Sequence, residues 1–173
     1  YFLNIFITYI AVYFLQLVLI KSKNYKKVFF AICLILLTPN IYKIILFHPY
    51  QSLYLNELVT LKNKNNYLID RDGLTRLDSV KKILSISNKE KNINIANASF
   101  VPYYRIKNAL DESDQSRLSF IGGDYKKADY IYNNFVYEID PKFNDKYQIP
   151  TNFKKIYELK INGIKLYEIW KKN

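Results

Sequence analysis

The chain has 173 residues and a formal net charge of +11, from 26 Lys and Arg against 15 Asp and Glu. One His and one Cys leave no material for an intrachain disulfide or a His/Cys metal cluster. The lysines are dispersed, often as pairs such as Lys81-Lys82, Lys126-Lys127, Lys154-Lys155 and Lys171-Lys172, and form no stripe with aromatic residues, so no nucleic-acid partner is expected.

Two apolar segments come first, Tyr1–Ile20 and Val28–Phe47, joined by the lysine-rich KSKNYKK over residues 21–27. Each is about 20 residues long, the length a helix needs to cross a hydrocarbon core. They predict a membrane α-helical hairpin over 1–20 and 28–47, followed by a water-facing domain over 48–173. No basic stretch precedes the first segment and no small-residue cleavage site follows it, which disfavours a signal peptide. A chain that begins with Tyr1 and holds no Met is expected to be part of a longer protein. Cys33 lies inside the second segment and is expected to pack as a small apolar residue.

The joining loop carries Lys21, Lys23, Lys26 and Lys27 and no acid. Short basic loops stay in the cytoplasm, which puts everything after Phe47 on the extracytoplasmic side. Thr38-Pro39-Asn40 predicts a kink in the second span, since proline removes a backbone donor. Lys43, one turn on, either snorkels to the outer interface or contacts a lipid phosphate.

Beyond the span, Tyr50, Tyr54 and Tyr67 are placed as an interfacial aromatic belt. Thr75-Arg76-Leu77-Asp78 reads as a helix start, with Thr75 as cap and Asp78 reaching back in a short capping box. Leu77, Val80 and Leu84 mark its apolar face, and the helix should end near Ser87-Asn88. Ile93–Ala96 alternates as a strand, and Val101–Leu110 suggests a weaker helix with Pro102 in its first turn. Leu118–Ile121 and Ala128–Asn133 read as short strands, and Pro141 and Pro150 bracket an irregular stretch. Asn162-Gly163 is the preferred type I′ hairpin turn. It should pair Ile161 with Ile164 and Leu159 with Leu166, and set Lys160 against Lys165 with Glu158 as diagonal relief. The order predicts a small α/β domain with a mixed sheet of about five strands.

Little of this is chemically distinctive. Gly122-Gly123 is a strand-ending turn rather than a phosphate loop. Asp70 and Asp72 read as turn and cap residues ahead of the helix, and Asn97-Ala98-Ser99 fits the loose glycosylation pattern. No metal ligand set, cofactor site or catalytic constellation is expected among these residues.

One stretch is more particular. His48-Pro49-Tyr50-Gln51-Ser52-Leu53-Tyr54-Leu55-Asn56-Glu57-Leu58, directly after a membrane span, resembles the C-terminal end of bacterial membrane glycosyltransferases of the GT-C type. These are multi-span relatives of the dolichyl-phosphate-mannose protein mannosyltransferases (glycosyltransferase family 39). Members follow this segment with D-Y-W-G-x-S at a helix start. Here Asp70, Gly73 and Thr75 match, while Arg71 and Asp72 replace the aromatic pair. An A-D-Y-V-L-x-N strand is matched by Ala128-Asp129-Tyr130-Ile131-Tyr132-Asn133, and the closing hairpin resembles Lys160–Trp170.

The resemblance implies the C-terminal portion of an enzyme that takes a polyprenyl-phosphate-linked sugar on the outer face of a bacterial plasma membrane. Its catalytic carboxylates lie upstream, so no catalytic residue is expected here. Lys43, His48, Tyr50, Gln51, Tyr54 and Asn56 are the candidates for contact with the lipid phosphate or sugar. The expected partners are membrane lipid, the lipid-linked sugar and upstream transmembrane helices of the same protein. The competing expectation is a non-catalytic, membrane-anchored extracytoplasmic module for binding or assembly.

Overall fold

The computed structural model describes residues 2–21, 26–51, 70–87 and 92–173. The chain divides into two compact units, Tyr1–Leu46 and Phe47–Asn173.

The first unit consists of α1 (Phe2–Lys21) and α2 (Lys26–Leu46). The second helix starts two residues before the expected span and ends one residue short of it. Among the described residues, α2 alone is long and apolar enough to cross a membrane, and the corresponding apolar part of α1 is Thr8–Ile20. No residue of α2 is buried, and the consecutive Leu34, Ile35, Leu36 and Leu37 are all exposed. Consecutive residues cover every side of a helix, so α2 is apolar all round. The helix runs unbroken through Pro39. Two side chains turn back onto the ladder beside the missing donor: the Thr38 hydroxyl donates to the Leu34 carbonyl at 2.8 Å and the Asn40 amide to Leu36 at 3.5 Å.

The second unit is built on a five-stranded mixed sheet of order β2-β1-β3-β5-β4, with β1 (Ile93–Asn97), β2 (Leu118–Phe120), β3 (Tyr130–Asn133), β4 (Phe153–Ile161) and β5 (Ile164–Lys172). β1 is parallel to both β2 and β3, and β5 runs antiparallel to β3 and β4. Alternation divides the side chains between two cores. Ile93, Ile95, Tyr130, Tyr132, Tyr167 and Ile169 pack with Val80, Ile83 and Leu84 of α3 (Arg76–Ser87). On the other face Ala96, Ala98, Ala128, Ile131 and Phe153 form a thinner core with Tyr125, Ile149 and Trp170. The alanines leave room for covering segments to approach the sheet on this face.

Four local expectations change. Val101–Leu110 holds a 3-10 helix, Tyr103–Ala109, preceded by Pro102. A short α4, Glu112–Arg117, was not foreseen, because ESDQSR has no apolar periodicity and buries nothing. The capping box does not form: the Thr75 hydroxyl binds Asp70 and Tyr132, and Asp78 accepts from the Tyr167 hydroxyl at 2.7 Å.

The hairpin turn is as expected, with Asn162 and Gly163 both at positive φ, Ile161 opposite Ile164 and Lys160 opposite Lys165. However, Leu159 pairs with Tyr167 rather than Leu166, because a bulge falls between Leu159 and Lys160. The extra residue on β5 lets Leu166 and Tyr167 both be fully buried, which strict alternation forbids.

Candidate functional site

The residues singled out in and after α2 fall partly within the second unit and partly outside it. Lys43 lies in the last turn of α2, in the first unit, and is half-buried. Tyr54 and Asn56 lie outside the described residues, as does Tyr67. His48, Tyr50 and Gln51 belong to the second unit.

The segment that follows α2 is a tight turn. The Tyr50 amide donates to the Phe47 carbonyl, and the His48–Pro49 peptide is cis. Phe47 and Tyr50 are both buried in the main core beside α3. Tyr50 therefore points inward and is no member of a headgroup belt. Burial pushes its phenol above the usual range, and the neighbouring Asp78 carboxylate pushes it further. Tyr167 meets the same carboxylate, and its phenol is raised for the same two reasons. Asp78 is thus the anchor that ties this segment to both α3 and β5.

The surface face of this turn is polar. The Gln51 amide lies 2.7 Å from Nδ1 of His48, which is exposed. The two side chains thus hold each other at the surface of the turn. The Nε2 atom, on the far side of the ring from the Gln51 contact, is left to meet a phosphate or sugar oxygen.

Sequence reasoning saw Asp70 as a turn residue but missed its partners. One carboxylate oxygen accepts from the Leu74 amide at 2.7 Å. The other accepts from the Thr75 hydroxyl at 2.5 Å and the Asn134 side-chain amide at 3.0 Å. Asn134 also donates to the Asp70 carbonyl at 3.0 Å, and the Tyr132 hydroxyl lies 2.7 Å from that of Thr75. Asp70, Thr75, Tyr132 and Asn134 are all buried. So many donors on a carboxylate compensate its removal from water.

Gly73 completes the loop at φ +67°, where a Cβ would meet the Arg76 guanidinium and lie 2.5 Å from Val101 Cγ1. Arg76 fastens the outside, donating to the carbonyls of Gly73, Asp72 and Pro102 at 2.8–2.9 Å. No substrate can reach this network. Its work is to hold the start of α3 against β3.

Comparison with known protein families, with curated proteins and with solved structures finds no match to this chain. The functional reading therefore stands on the residues alone.

A second charged cluster lies on the hairpin. Glu158 sits directly opposite Glu168, and Lys155, Lys160 and Lys165 surround the pair at 2.5–3.5 Å. Hydrogen bonds from Lys160 and then Lys165 bring the Glu158 carboxyl down to about 2. Glu158 relieves the Lys160–Lys165 repulsion as expected. Among the described residues, no group of His, Cys, Asp or Glu is placed to hold a metal ion.

Proposed function

We propose that this chain is the C-terminal portion of a membrane glycosyltransferase that uses a polyprenyl-phosphate-linked sugar on the outer face of a bacterial plasma membrane. The observation that carries the reading is the contact between the Thr75 and Tyr132 hydroxyls at 2.7 Å. It joins two of the sequence matches, 57 residues apart, which supports the resemblance. The apolar α2 and the lysines flanking it support an integral membrane protein whose second unit is extracytoplasmic.

In this reading the second unit supports the reaction and does not perform it. Phe47, Tyr50 and Asp78 set the exit turn, and the turn presents His48 and Gln51 at its surface. Lys43, on α2, and Tyr54 and Asn56, further along the chain, remain proposed contacts for the lipid phosphate and sugar. A donor aimed at the bridging phosphate oxygen stabilises the charge that develops as the sugar leaves. Catalytic carboxylates are supplied from elsewhere in the protein.

The test is sugar transfer by membranes holding the protein whose reading frame encodes this chain. Polyprenyl-phosphate-linked hexoses serve as donors and membrane lipid or glycan as acceptor. Labelled sugar appearing in the acceptor supports the reading. Its absence, with the protein folded and inserted, leaves the anchored binding module instead.

A further inference from the structure

A cleft of about 280 Å³ opens at the carboxyl ends of the parallel strands β1 and β2, far in sequence from the exit turn. Open α/β sheets place ligands at this end of their strands. One wall carries Phe100 and Tyr104, which are 51% and 60% exposed. The opposite wall is the Gly122-Gly123 turn, and Lys146 lies beside it.

Three features make this a built site. The segment that carries the aromatic wall is fixed: the Asn97 side chain donates to the carbonyls of Ser99 and Val101 and accepts from the amide and hydroxyl of Ser99. That engagement also withdraws Asn97 from the glycosylation pattern. Next, the turn is bare. A Cβ at Gly122 would touch nothing within 4 Å, and the Gly122 and Gly123 amides have no acceptor among the described residues. Finally, Tyr104 and Phe120 also line a second, wider groove that holds Arg105, Lys107 and Asn108. Tyr104 is therefore a ridge between two lobes, each of which contains a cation.

We propose that this two-lobed cleft binds a saccharide, and prefers one that carries a carboxylate or phosphate. The exposed aromatic faces suit the C–H face of a pyranose ring, the glycine amides its oxygens, and the lysines and arginine its anionic substituent. The choice of a sugar among ring-bearing ligands rests on the glycosyltransferase reading, with the cleft as an acceptor subsite. The geometry of the cleft does not depend on that reading.

The chain contains four glycines, Gly73, Gly122, Gly123 and Gly163, so ¹⁵N-glycine labelling of the full chain in detergent micelles gives one amide signal for each. Two report from the cleft and two from elsewhere. Titration with glucuronic acid, glucose and inorganic phosphate to about 50 mM should shift Gly122 and Gly123 with the sugars, with a Kd of about 1–10 mM. Gly73 and Gly163 should stay fixed. Glucuronic acid should bind more tightly than glucose, and Lys146→Gln should narrow the difference.

Tyr104→Ala removes an exposed ring and should weaken binding about tenfold, with unshifted Gly73 and Gly163 signals showing the fold intact. Phosphate moving the cleft glycines as well as the sugars do would overturn the saccharide assignment. So would all four signals shifting together, or an unchanged titration in Tyr104→Ala. Transfer activity without a glycine shift rejects this cleft and keeps the enzyme reading, and a shift without transfer does the reverse.

Discussion

The side-chain amide of Asn134 donates to both the carboxylate and the main-chain carbonyl of Asp70, each at 3.0 Å, and so closes the loop that starts α3 onto the end of β3. Asn134→Ala strips a buried carboxylate of one donor and its carbonyl of another. The expected loss is about 2–3 kcal/mol, read as a lower unfolding midpoint in urea. Asp70→Asn should cost at least as much, because its amide would face the donors of Leu74 and Thr75.

Glycine substitutions separate steric from conformational demands. Gly73→Ala places a methyl against Arg76 and Val101 at φ +67°, and should destabilise by more than about 2 kcal/mol. Gly122→Ala, at φ +62° with open space around it, bears only the backbone strain, about 1 kcal/mol. Equal losses in parallel urea titrations would refute the packing described around Gly73.

The hairpin cluster sets a pH dependence. The Glu158 carboxyl is depressed in the folded state from 4.5 to about 2. Its contribution is complete above the unfolded value and disappears as pH falls from about 4.5 through about 2. Thermal unfolding of the wild type should lose stability across that window. Glu158→Gln should flatten the slope, and high salt should reduce it, because Lys160 and Lys165 are nearly half-exposed.

Tyr50 and Gln51 are neighbours with opposite duties. Tyr50→Ala empties a core position beside α3 and should cost about 3–4 kcal/mol. Gln51→Ala removes only a surface amide and should change stability by less than about 0.5 kcal/mol. Thermal melts of the two variants in one detergent test this division. A destabilising Gln51→Ala would make the His48–Gln51 contact a structural one.

What could be read from the sequence depended on how local the cause was. Asn162-Gly163 dictates its own turn, and the apolar spacing of Val80 and Leu84 dictates α3. The mixed five-stranded sheet followed from the order of such elements. The bulge beside Leu159 did not, since it arises from Leu166 and Tyr167 competing for one core. α4 has no apolar face to detect. Among the site residues, the turn role of Asp70 was visible in its neighbours, but its partner Asn134 is 64 residues away and no local pattern announces it. Tyr50 shows the reverse error: an aromatic residue just past an apolar helix suggests a headgroup, while the carboxylate of Asp78 draws it inside.

The most direct test of the account is sugar transfer from a polyprenyl-phosphate-linked donor, measured side by side for the wild-type protein carrying this chain and for Gln51→Ala. The account predicts transfer by the wild type and a loss of about tenfold or more in the variant at unchanged melting temperature. It is contradicted by a folded, inserted wild type that transfers no sugar, or by a variant that transfers it equally well.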